Sequence, residues 1–139
     1  MNKNINIRLL TIEDLSQVEL LDDLSGLNVS EWVDIDRVWG ILKSDELIGY
    51  LTFGGADCDE YLASFEEISS ESLVLSNVYI TEPNRHKGYA KRLVNFTTNQ
   101  CDEVVVLTIT SFDLKNLYEE CVFKLLDEDY LMIKTSHLN

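Results

Sequence analysis

Apolar and polar positions alternate through Ile5-Asn6-Ile7-Arg8-Leu9, the two-residue period of a strand with one buried face. The period then lengthens. Thr11 precedes Glu13 and Asp14, a helix start with acids in its first turn, and Leu15, Val18, Leu21 and Leu24 follow at helical spacing. A second short helix is expected over Glu31 to Val38. Val38 to Leu42 and Leu47 to Phe53 read as strands joined as a hairpin by Lys43-Ser44-Asp45-Glu46, and Gly54-Gly55 ends the second. Residues 57–72 are acidic and irregular, a loop with a short helix around Tyr61 to Ile68. Leu73 to Ile80 is again strand-like. Ala90, Leu93, Val94 and Thr97 place one apolar stripe on a helix over Ala90 to Thr98. Val104 to Ile109 is a β-branched apolar run, the pattern of a strand buried on both faces. Asp113 can cap a helix carrying Leu114, Leu117, Tyr118 and Cys121, and Tyr130 to Lys134 reads as a closing strand.

Strands and helices in this order make a mixed α/β domain. A length of 139 residues fits one domain spanning 1–139, large enough for a sizeable core. No run of 18 apolar residues occurs, so no membrane span is expected, and the N-terminus lacks an apolar signal core, which makes cytoplasmic residence the expectation. Cys58, Cys101 and Cys121 are odd in number and match no zinc spacing; they read as buried free thiols. With His86 and His137 the only histidines, no metal site is expected. The formal charge of −14 repels nucleic-acid phosphate and suits a cationic partner, although it also serves solubility alone.

Against that acidic background, Arg85-His86-Lys87-Gly88-Tyr89-Ala90-Lys91-Arg92 holds four of the eleven Lys and Arg with no acid among them. The segment is a glycine-containing turn between a strand and a helix. A helix start leaves backbone N–H groups unpaired at a positive dipole end, the geometry of a phosphate site. Basic side chains around it add field.

Val78-Tyr79-Ile80-Thr81-Glu82-Pro83-Asn84-Arg85-His86-Lys87-Gly88-Tyr89-Ala90 resembles the acyl-CoA loop of the GNAT N-acetyltransferases, whose core Arg/Gln-x-x-Gly-x-Gly/Ala is met by Arg85, Gly88 and Ala90. The order of elements also follows that family. The resemblance implies a mixed central sheet of about six to seven strands flanked by about four helices. It implies acetyl-CoA as acyl donor, its pyrophosphate on the N–H groups of residues 85–91 (Arg85, His86, Lys87, Gly88, Tyr89, Ala90 and Lys91), and its pantetheine and acetyl carbonyl on the backbone of Val78, Tyr79 and Ile80.

Tyr118-Glu119-Glu120-Cys121-Val122-Phe123 resembles the family's Tyr-Glu-x-x-Gly-Phe segment, which implies Tyr118 as general acid to the leaving thiolate. The alternative is a core tyrosine. Val122 stands where the family has glycine, so the backbone there must differ or strain must be tolerated. His86 stands at another frequent glycine, which is permissible if its φ is negative. Ser111 occupies a slot where the family often has a cofactor-contacting Asn. No base stands out; Glu71 and Glu82 are candidates by position, beside ordered water and beside solvated carboxylates with no role. The first helices and the acidic stretch border the acceptor cleft in the family. Their carboxylates imply a cationic amine, such as a polyamine, an aminoglycoside, or a lysine or N-terminal amine, or are ordinary solvated faces. The family also implies a homodimer through sheet edges or the C-terminal strand. The expected activity is therefore acetyl transfer from acetyl-CoA to a primary amine. The alternatives are a catalytically weak or inactive acyl-CoA-binding or interaction module, and an acidic nucleic-acid mimic.

Overall fold

The computed structural model describes residues 4–11, 13–14, 37–55, 62, 64–69, 71–109, 114–126 and 131–135. They build one seven-stranded sheet of order β1-β2-β3-β4-β5-β7-β6: β1 is Ile5–Leu9, β2 Arg37–Lys43, β3 Glu46–Gly55, β4 Leu73–Ile80, β5 Val105–Thr108, β6 Lys124–Leu125 and β7 Leu131–Lys134. Every pairing is antiparallel except β4 with β5. Two α-helices lie among the described residues, α1 Tyr89–Asn99 and α2 Lys115–Glu120. Neither is long and apolar enough to cross a membrane. The expected helical stripe of Leu15, Val18, Leu21 and Leu24 lies outside the described residues, as do residues 31–36 of the second expected helix, Cys58, Ser111 and Asp113.

Local chemistry explains the boundaries. Thr11 opens a helical turn reciprocally with Asp14: the Asp14 N–H donates to Thr11 Oγ1 at 3.3 Å and the Thr11 N–H to Asp14 Oδ2 at 2.8 Å. Arg8 also bonds Asp14 at 2.8 Å, and that bond leads the pull holding the Asp14 carboxyl well below the ordinary carboxylate range. The hairpin turns at Ser44 and Asp45, φ 51° and 69°, the left-handed pair of a two-residue hairpin loop. The helix expected through Val38 is corrected at its end. Arg37 and Val38 belong to β2, where Val38 is buried opposite Thr52 and sheet pairing overrides local propensity.

Residues paired across adjacent strands share a face. Leu9, Trp39, Leu51 and Val78 form one such row, and Ile7, Ile41, Gly49 and Ile80 the next. α1 covers this face with Leu93 and Val94, both fully buried and each worth roughly 1.5–3 kcal/mol of apolar burial. The core continues through Val105, Leu107, Met132, Cys121 and Phe123. A smaller cluster of Leu62, Ile68, Val106, Leu131 and Ile133 occupies the other face. Cys101 and Cys121 are buried free thiols.

Candidate functional site

β4 positions the site through two irregularities. Against β3 its register skips Ser76, since Thr52 faces Asn77 and Phe53 faces Leu75, so the strand bulges there. Against β5 it pairs only at Leu73–Val105 and Val74–Val106, although it runs on to Ile80. Beyond Val74 the two parallel strands no longer pair with each other among the described residues. β3 closes tightly on the other side: a Cβ on Gly49 would stand 2.5 Å from the Tyr79 carbonyl oxygen.

The chain leaves β4 through an anchored loop. The Thr81 N–H donates to the Ile48 carbonyl at 2.9 Å, and Pro83 sits in a 3-10 turn over Glu82–Asn84. Asn84 Nδ2 donates to Thr81 Oγ1 at 2.8 Å. Arg85 folds back: its Nε donates to the Ile80 carbonyl at 2.7 Å and its guanidinium lies 5.3 Å from the Tyr79 ring centroid. Tyr79 in turn stacks on Tyr50 at 5.4 Å. Arg85 thus clamps the loop to the end of β4 while leaving donors over.

His86 then takes φ 63° and Gly88 φ 84°. The negative φ under which a histidine would sit easily at this glycine slot is not adopted. Histidine is among the non-glycine residues that tolerate this region, and two left-handed residues in three turn the chain sharply into α1. Gly88 is the N-cap, and no side chain caps the helix; the first intrahelical bond runs from the Arg92 N–H to the Gly88 carbonyl at 3.0 Å. The N–H groups of Tyr89, Ala90 and Lys91 precede that bond and have no partner within the helix. A Cβ on Gly88 would meet nothing within 4 Å, so the chain faces open space there.

That space is a cavity of about 420 Å³, bordered by the loop and by Val78, Ile80, Tyr89, Ala90, Leu114 and Leu117. An apolar floor therefore meets a rim of N–H groups and basic side chains. Of the loop's bases, Lys91 pairs with Glu120 at 3.0 Å across to α2, with both side chains about half exposed. Lys87 and Arg92 are exposed.

α2 begins beside this cavity, with Leu114 and Leu117 in its wall. Leu114 and Tyr118 are four apart and share a face, but Tyr118 does not itself border the cavity; it is buried at 8% exposure. Burial, then the neighbouring Cys121 thiol, pushes the Tyr118 phenol above its ordinary value. The helix closes with the Phe123 N–H donating to the Tyr118 carbonyl and the Val122 N–H to the Glu119 carbonyl, both at 3.0 Å, and with Phe123 edge-on to Tyr118 at 5.8 Å. This is a Schellman motif with its hydrophobic contact, and Val122 fills the left-handed position at φ 73°. Of the two outcomes open at Val122, the backbone keeps the glycine-type turn and tolerates the strain.

The candidate bases are not brought together. Glu82 lies exposed in the loop, just past the end of β4. Glu71 lies exposed before β4 begins, roughly 25 Å from the loop by the rise of the strand. Tyr79 points away from the cavity, while Val78 and Ile80 on either side of it line the wall. Lys134 was not singled out in the sequence. It is 1% exposed on β7, donates to Thr98 Oγ1 at 2.8 Å, and faces the Phe123 ring at 5.9 Å. Burial pushes its ammonium below the ordinary lysine value.

No family model matches the sequence, and no curated protein sequence matches it. Solved structures do match. Arabidopsis thaliana Naa50, in complex with a bisubstrate analogue CoA-Ac-MVNAL, superposes with TM-score 0.69 at 14% identity, covering 95% of this chain and 99% of that one. The GNAT family N-acetyltransferase YhbS of Escherichia coli, in complex with CoA, gives TM-score 0.69 at 15% identity over 94% of this chain and 81% of its own. Arabidopsis thaliana NAA60 with acetyl-CoA gives 0.67 at 18% identity over 93% and 98%. The chain has the GNAT fold, as the order of its elements implied.

Proposed function

We propose that the protein is a GNAT N-acetyltransferase that transfers an acetyl group from acetyl-CoA to a primary amine by direct attack in a ternary complex. The observation that carries this reading is a convergence at the end of β4. The end of β4 beyond its pairing with β5, the clamped basic loop and the uncapped start of α1 all open onto one cavity. The N–H groups from Arg85 to Lys91 take the pyrophosphate. The stretch of β4 from Val78 to Ile80, beyond its pairing with β5, takes the pantetheine amides and polarises the thioester carbonyl.

The amine nitrogen attacks the carbonyl carbon, and the tetrahedral adduct collapses with cleavage of the C–S bond. The departing thiolate takes the phenolic proton of Tyr118, and the amine loses its proton to water or to a carboxylate such as that of Glu82. Burial keeps Tyr118 protonated at neutral pH, the state a proton donor requires. Each pKa unit by which the phenol exceeds the thiol costs about 1.4 kcal/mol in that transfer, a small part of a catalysed barrier. The bisubstrate analogue bound to Naa50 is a peptide derivative, and the acceptor here is argued only from charge: a cationic amine, whether polyamine, aminoglycoside, or lysine or N-terminal amine.

Tyr118 does not border the cavity, and this favours a second reading, a CoA-binding module without turnover. Thiol release from acetyl-CoA, measured over a panel of amines, separates the two. Under the first reading Tyr118→Phe lowers turnover by about a hundredfold or more with CoA affinity kept. Unchanged turnover would remove Tyr118 from the mechanism, and no release with any amine would favour the module.

A further inference from the structure

The loop's positive charge is partly committed elsewhere. Arg85 Nε is bonded to Ile80 and the guanidinium lies over Tyr79, while Lys91 is paired with Glu120. A base from a distant part of the sequence stands beside one residue of that cavity's wall. Lys43 ends β2, and its Nζ lies 6.0 Å from the ring centroid of Tyr89, the first residue of α1 and part of the cavity wall. Lys43 is exposed and sits directly opposite Glu46 in the hairpin register, yet among the described residues it makes no ion pair. Its ammonium turns to the tyrosine instead.

We infer that Lys43 is a binding residue for the second anionic group of the acyl donor, the 3′-phosphate of its adenosine ribose. This rests on the proposed use of acetyl-CoA. Coenzyme A carries two separated anions, a pyrophosphate and a ribose phosphate. The N–H groups at the start of α1 and the loop suit the first. A cation 6.0 Å from the Tyr89 ring centroid, on a different element from that cluster, suits the second. A monodentate ammonium–phosphate contact needs no preformed fork, so a lysine on a hairpin end can supply it.

The test is calorimetric titration of the full chain and of Lys43→Met with CoA and with 3′-dephospho-CoA. Met keeps the aliphatic stem against Tyr89 and removes only the charge. The expected result is a five- to tenfold weaker binding of CoA by Lys43→Met, about the worth of one charge-assisted hydrogen bond, with binding of 3′-dephospho-CoA unchanged. Lys43→Arg should retain CoA affinity. Equal losses for both ligands would make Lys43 a general contributor to the field and overturn the assignment. So would no loss at all, or a wild type that does not distinguish the two ligands. A wild type that binds neither ligand would instead overturn the CoA reading itself.

Discussion

Val122 sits at φ 73° in the turn that ends α2, and the sign of its response to substitution tests the description of that turn. A Cβ in the left-handed region costs roughly 1–2 kcal/mol, and glycine removes that cost. Glycine also has the freer unfolded chain, which takes back about 0.4–1 kcal/mol relative to alanine. Val122 is 54% exposed, so both Val122→Gly and Val122→Ala lose the same modest side-chain burial. Comparing the two cancels that loss. Val122→Gly should be more stable than Val122→Ala by about 0.5–1 kcal/mol, the reverse of the order inside a helix, where glycine is worse by a similar amount. Urea denaturation followed by circular dichroism reads the difference as a shift in midpoint at constant slope. Alanine equal to or better than glycine would mean that residue 122 does not occupy the left-handed position. The Tyr118 carbonyl, which accepts both the Cys121 and Phe123 N–H groups, would then be held differently.

Two further outcomes follow from the site and the core. Gly88→Val places a branched side chain in the open space at the loop without a clash within the protein, at φ 84°. CoA affinity should therefore fall more than tenfold while stability drops by only about 1–2 kcal/mol, readable by calorimetry beside thermal melting; retained affinity would refute the loop's role. Lys134 has a folded pKa below its ordinary 10.5, so between those values the unfolded chain binds more protons, and this site's contribution to stability rises with pH up to 10.5. Lys134→Met, which leaves Thr98 Oγ1 bonded to the Val94 carbonyl at 2.8 Å, should match or exceed the wild type by about 1 kcal/mol at pH 7. That advantage should shrink as pH approaches 10.5, and a pH-independent loss in urea titrations would show the charge to be net stabilising.

The sequence made the frame of the site legible because its elements carry strong periods and clear stops. Leu73–Ile80 appears as the strand that its apolar run predicts, and the helix stripe of Leu93, Val94 and Thr97 is buried as expected. The glycine and the clustered bases marked the loop before any geometry was known. What stayed hidden depends on tertiary pairing. The early end of the pairing of β4 with β5 and the bulge at Ser76 leave no trace in hydrophobic period. β6 is two residues long, too short to show alternation, and forms because the Schellman turn delivers Lys124–Leu125 to β7. His86 stands at a frequent glycine of the resemblance, and only the backbone shows that it keeps the left-handed conformation. Lys134 alternates like a surface residue at the end of its strand, but α1 covers it and Thr98 supplies its partner. Arg85 and Lys91 count toward a phosphate site in the sequence, while in the fold each already has a protein partner.

The central claim is that the clamped basic loop, the uncapped start of α1 and the end of β4 beyond its pairing with β5 form a site for acetyl-CoA. Titration of the purified protein with acetyl-CoA by calorimetry tests it most directly. Saturable binding at micromolar ligand is the expected result. No binding at millimolar ligand would contradict the claim and leave a GNAT fold without its acyl donor.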